Sequence, residues 1–131
     1  MCGGFKPSRQ FAVTKDEQIA RELARLARLK SGQRYHFPTD RGLVGGTFGG
    51  YARHESLEGC WKGRIRGHIK ILAETFSERN TVEKTYQNVH FRVPEGKAIH
   101  AVVTDANEVR IVTQPARGNV KKYHHRMPDL I

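Results

Sequence analysis

Apolar residues recur at Ile19, Leu23, Leu26 and Leu29, at steps of four, three and three, and Ala20, Ala24 and Ala27 widen the stripe. That spacing lines one face of a helix. Ahead of it, Thr14-Lys15-Asp16-Glu17 has the hydroxyl-then-glutamate spacing of a capping box, and Gly32 stands where a helix stops. The pattern predicts one amphipathic helix from Lys15 to Ser31, with Arg21, Arg25 and Arg28 on its solvated face. From Gly42 onward the period shortens to two. Strands are expected at 43–48, 68–72, 89–93, 98–104 and 109–113, with Asp105-Ala106-Asn107-Glu108 as a hairpin turn. A short helix is expected from Thr81 to Gln87. With no internal repeat or linker, the reading is α+β. A single domain, 1–131, would hold a curved, mostly antiparallel, barrel-like sheet and one long N-terminal helix.

Composition supports this picture. The 131 residues are 37% hydrophobic, enough for a modest core, and 13 glycines against 5 prolines fit the tight turns of a β-rich fold. No apolar run approaches the roughly 18 residues of a membrane span, and the first residues lack the order of a signal peptide, so no membrane partner is expected. Cys2 and Cys60 are expected as free thiols in a reducing compartment. Closely spaced ligand pairs are missing around Cys60, His68, His124 and His125, so neither a metal nor a cofactor is expected.

Charge changes the picture more. Lys and Arg total 23 against 13 Asp and Glu, a formal net charge of +10. Such an excess favours a polyanion, nucleic acid first. One basic group comprises Arg53, Lys62, Arg64, Arg66 and Lys70; a second comprises Arg117, Lys121, Lys122 and Arg126. Trp61, Tyr123, Tyr51 and Phe48 interleave with them. Phe48 reads as core; Trp61 and Tyr123 join the basic residues as DNA-binding candidates. Cations mixed with aromatic faces suit single-stranded or interrupted DNA, not base-specific duplex readout.

Several stretches together resemble the SRAP (SOS response-associated peptidase) family, whose domains protect abasic sites in DNA. The start "MCGGF" resembles the family's Met-Cys-Gly-Arg-Phe, and Arg34-Tyr35-His36-Phe37-Pro38-Thr39 its Arg-Tyr-Asn-x-Ala-Pro-Thr. Phe48-Gly49-Gly50-Tyr51-Ala52 is faintly similar to Trp-Gly-Leu-x-Pro. Lys70-Ile71-Leu72-Ala73-Glu74-Thr75 is similar to Asn-Ala-Arg-x-Glu-Thr. Phe91-Arg92-Val93-Pro94-Glu95-Gly96 resembles Cys-Leu-x-Pro-x-x-Gly, and Pro128-Asp129-Leu130-Ile131 the closing Pro-Glu-Leu-Ile. His124-His125-Arg126-Met127-Pro128 nearly spells the family's His-Asp-Arg-Met-Pro. The matches keep their order over nearly the whole chain.

The resemblance implies a shortened family member, acting in the DNA-damage or SOS response; with neither membrane span nor signal peptide, an intracellular soluble protein is expected, in the cytoplasm, at the nucleoid or in a phage-infected host. It implies covalent capture of abasic single-stranded DNA as a thiazolidine on Cys2, with His124 moving protons and Glu74 supporting the site. The chemistry is sound: with Met1 removed, residue 2 carries an amine and a thiol on adjacent carbons. Together these close a five-membered ring on an aldehyde. Gly3 and Gly4 would let the backbone approach a sugar-phosphate. The chain also departs from the family pattern. Gly4 replaces an arginine, Lys70 replaces an asparagine, and the glutamate of Gly-Phe-Tyr-Glu-Trp falls near Ile99 or His100. Two alternatives therefore stay open: a nucleic-acid-binding module without chemistry, and a peptidase or autoprocessing activity with Cys2 as nucleophile. Enzyme status and oligomeric state are open at this point.

Overall fold

The computed structural model describes residues 2–131, apart from the side chains of Cys2 and Ala12. It is α+β and mostly β, with 47% of the chain in strands against 17% in helices. Strand β1 (Cys2–Pro7) is followed by the short helices α1 (Arg9–Ala12) and α2 (Glu17–Ala24). The strands β2 (Arg34–Thr39), β3 (Gly42–Arg53), β4 (Ile65–Ile71), β5 (Ala73–Arg79), β6 (Asn88–Arg92), β7 (Ile99–Thr104), β8 (Glu108–Pro115) and β9 (Arg126–Pro128) complete the fold.

Five strands close into a barrel in the order β3-β2-β4-β7-β8, because β3 and β8 pair in parallel. The other barrel pairings are antiparallel, and β9 adds to β8. A second sheet, β1-β5-β6, is antiparallel throughout. Closure leaves the barrel with few exposed edges. Alternation explains the core. Phe37, Phe48, Ile71, Ile99, Ala101, Val109 and Ile111 join Phe5 and Phe76 of the second sheet in one buried cluster. A smaller cluster of Ala52, Val102 and Val112 lies outside the barrel wall, with Leu57, Trp61 and Ile65 packed against it. Among the described residues, no helix is long and apolar enough to cross a membrane.

The long N-terminal helix does not form. Asp16, not Thr14, is the cap: its carboxylate accepts from the amides of Gln18 (2.9 Å) and Ile19 (3.2 Å), while Thr14 Oγ1 reaches only Asp16 N. A carboxylate at a helix N-terminus adds a favourable charge interaction that a hydroxyl lacks. The helix also ends early, tightening into a 3₁₀ turn at Arg25–Ala27. Arg28 is extended, so Leu29 N donates to Gly3 O (3.0 Å) instead of to the preceding turn. The stripe is real, with Leu23 and Leu26 buried, but pairing with β1 wins over continuation.

The helix expected at 81–87 is also absent. Lys84 and Tyr86 adopt left-handed φ of 60° and 57°, incompatible with a right-handed turn. Asn80 organises the loop instead, taking Glu83 N on its side chain (3.0 Å) and Tyr86 N on its carbonyl (3.0 Å).

Candidate active site at the start of the first strand

The pairing of β1 with β5 runs regularly from Lys6↔Thr75 through Gly4↔Ser77, then shifts, and Cys2 lies opposite Glu78. Regular continuation would have set residue 2 against Arg79. Gly3 is the extra residue of this bulge, a device that re-aims strand ends beside reactive centres. The 25–29 segment locks the strand from its other side. A Cβ on Gly4 would lie 2.2 Å from the Ala27 carbonyl oxygen, so only glycine permits this approach. Gly4 thus serves internal packing. That corrects the expectation that it opens the backbone to DNA, and it explains why the arginine of the resembled motif has no room here.

Glu78 is fully buried, and burial pushes its carboxyl up to about 7, because the charged form loses its water. His124 approaches from the far end of the chain. A 3₁₀ turn at Gly118–Lys122 leads into it, with His124 N donating to Val120 O (2.9 Å). Thr81 N and Val82 N donate to Tyr123 O (2.9 and 3.2 Å), tying this turn to the exit of β5. His124 Nε2 comes to rest 3.9 Å from Glu78 Oε1. Burial is the main reason its imidazole is held down at about 4. At neutral pH the ring is therefore uncharged while the carboxyl is near its midpoint. With the ring uncharged, the contact is not an ion pair.

A cleft of about 280 Å³ opens here, lined by His124, Arg28, Arg79, Asn88, Thr81 and Tyr51, with Gly3 beside them. It offers two cations, a carboxamide, a hydroxyl and a phenol around the start of β1. Among the described residues, no group of three His, Cys, Asp or Glu is arranged to hold a metal ion.

The expected site residues divide. The backbone of Cys2 and the side chain of His124 converge; the thiol of Cys2 lies outside the described residues. Glu74 stands four residues from Glu78 along β5 and pairs with Lys6 (3.5 Å), so the glutamate beside His124 is Glu78, which sequence reasoning missed. Lys70 is exposed on β4 and lines a different depression. Arg53, Lys62, Arg66, Arg117, Lys121 and Lys122 are exposed.

Four other DNA-binding candidates are committed internally. Arg126 donates to both Glu55 oxygens (2.8 and 3.1 Å) and to Thr113 O (2.8 Å), and its hydrogen bonds hold the Glu55 carboxyl down at about 2. Arg64 lies 3.7 Å from Asp105 and over the Trp61 ring. Trp61 is further covered by Arg110, 4.7 Å from its ring centre, so its ring is not an open stacking platform. Tyr123 is half-buried against Phe91. Arg28, Arg79 and Asn88 were not singled out by motif. Comparison with family models, curated proteins and solved structures finds no match for this chain.

Proposed function

We propose that the protein captures abasic sites in single-stranded DNA through the amine and thiol of Cys2, as the resemblance to SRAP domains implies. One observation carries this reading: the bulged register sets Cys2 opposite a buried glutamate that adjoins His124, at an arginine-lined cleft. The α-amine of Cys2, freed by removal of Met1, attacks the C1′ aldehyde of the ring-opened sugar. The carbinolamine loses water with a proton from neutral Glu78, leaving an imine. The thiol adds to the imine carbon, its proton passing to nitrogen, and a thiazolidine closes. One C–N and one C–S bond form and one water leaves. A carboxyl poised at about 7 can give and take protons at neutral pH, and the uncharged ring of His124 stands beside it. Asn88 supplies a carboxamide in the cleft, although the family's asparagine position falls on Lys70 outside it. Arg28 and Arg79 suit the flanking phosphates.

The test is incubation of Met1-processed protein with a single-stranded oligonucleotide carrying one abasic site, read on a denaturing gel and by intact mass. The expected product is an adduct equal to both masses less one water, lost in Cys2→Ala and in protein that retains Met1. Adduct formation undiminished in Cys2→Ala overturns the reading. Salt-sensitive binding with no adduct from processed protein would favour a non-catalytic nucleic-acid module.

A further inference from the structure

A second constellation shares no residue with the cleft. Strand β4 exposes Arg66, His68 and Lys70 at alternate positions, while Ile69 and Ile71 turn into the core. Lys70 is paired with His100 of β7, so His100 lies on the same outer face. His100 is nonetheless buried. Its Nδ1 lies 3.0 Å from Asp129 Oδ2, and its Nε2 lies 2.8 Å from His68 Nδ1, with the two rings stacked at 5.1 Å.

Hydrogen-bond chemistry fixes the protons. A carboxylate only accepts, so His100 carries its proton on Nδ1 and leaves Nε2 as acceptor. His68 must then donate from Nδ1, and its Nε2 holds a lone pair. Burial, the largest influence on His100, lowers its affinity for a second proton and keeps it in this linking state. His54 and His68 also act on His100, both in the same direction, and Asp129 opposes them. The exposed end, His68, lines a depression of about 150 Å³ with Lys70, Asp40 and Arg41. Asp40 and Arg41 adjoin in the β2–β3 turn, which leaves Lys70 and neighbouring Arg66 as the cationic surplus.

We propose that the Asp129–His100–His68 chain is a proton relay serving a second site, one for RNA, with His68 as base and Lys70 holding the phosphate. His68 Nε2 takes the proton of a ribose 2′-hydroxyl. The 2′ oxygen bonds to the adjacent phosphorus, and the bond to the 5′ oxygen breaks. That oxygen takes a proton from water, and the hydroxide is neutralised when His68 releases its own. The products are a 2′,3′-cyclic phosphate and a 5′-hydroxyl end, with no co-reactant consumed. Asp129, acting through His100, offsets the charge that His68 gains, as the carboxylate of a catalytic triad does. DNA has no hydroxyl beside its phosphate, so only RNA can react in this way. His68 is the catalytic residue; His100 and Asp129 are positioning residues.

The probe is a DNA oligonucleotide with a single internal ribonucleotide, incubated with Cys2→Ala protein in EDTA so that adduct formation cannot interfere. Cleavage after the ribonucleotide, with a cyclic phosphate detected by mass, is expected. His68→Ala and His68→Gln, both changes at an exposed side chain, should each cut at least ~100-fold more slowly, the scale of a lost general base. Asp129→Asn should slow cutting by roughly tenfold and displace the pH–rate profile, which a purely structural change would leave in place. Capture of abasic DNA by His68→Ala in the Cys2 background should stay intact. Absence of cleavage by the Cys2→Ala protein, or cleavage by folded His68→Ala at its rate, overturns the proposal without touching the reading of the Cys2 cleft.

Discussion

At the scale of the residue, the Glu78–His124 contact makes an unusual prediction about pH. Glu78 titrates at about 7 in the fold against an ordinary 4.5, so the folded state binds its proton more tightly than the unfolded chain. Its contribution to stability is full below 4.5 and is lost as pH rises through 7. His124 is the reverse: held at about 4 against an ordinary 6.5, it contributes fully above 6.5 and loses that contribution as pH falls through 4. The two slopes oppose each other between about 4.5 and 6.5 and nearly cancel. Removing either should expose the other. Denaturant titrations of Glu78→Gln should show stability rising with pH across that window, and those of His124→Asn should show it falling. The full Glu78 effect is at most on the order of 3 kcal/mol. Matching slopes in the two variants would rule out the opposed shifts of Glu78 and His124. Gly4 allows a simpler check. Its added methyl would collide with the Ala27 backbone, which cannot swing aside, so Gly4→Ala should cost roughly 2–3 kcal/mol and about 10 °C in Tm.

At the scale of the element, the helix start separates two readings of one stretch. Asp16→Ala should destabilise the protein by about 1 kcal/mol in urea, and Thr14→Ala by only a few tenths, because only Asp16 satisfies orphan helix amides. Equal losses would restore the capping box. Apolar alternation made the strands legible: the runs at 43–48, 68–72, 98–104 and 109–113 fall within or overlap barrel strands, and 89–93 overlaps β6 of the second sheet. Strands β1, β2 and β5 carried no such pattern. Strand β5 reads Ala-Glu-Thr-Phe-Ser-Glu-Arg, and its buried face spends a position on Glu78 where alternation calls for an apolar side chain. The residue that makes the site chemically interesting is the one that hid its strand. His124 was singled out because its neighbours spell a motif; Glu78 was not, because motif spacing cannot register the β1 bulge that sets Cys2 opposite it. The helix was over-read because periodicity records burial and not the backbone partner that ends it. Leu26 and Leu29 keep their stripe although the 3₁₀ turn has replaced the helix.

At the scale of the whole molecule, a net charge of +10 does not mean that every cation is available to a polyanion. Arg126 is clamped by Glu55 and Thr113, Arg110 by Glu108, and Arg64 leans on Asp105 and Trp61. Arg79 and Arg28 line the cleft, and Lys121 and Lys122 stand exposed on the turn just before His124. Phosphate contacts release counterions, so affinity for single-stranded DNA should fall linearly on a log–log plot against salt, by about 0.7 in slope per contact. Reversible binding by Cys2→Ala protein, measured by fluorescence anisotropy across a salt series, should distinguish the two kinds of cation. Arg79→Gln and Lys121→Gln should each flatten the slope by about 0.7 while leaving Tm nearly unchanged. Arg126→Gln should leave the slope alone and lower stability by roughly 1–2 kcal/mol, since its half-exposed partner Glu55 is partly screened by water. An unchanged slope in Arg79→Gln would detach the cleft from the nucleic acid. A flattened slope in Arg126→Gln would show that the clamp opens to hold phosphate.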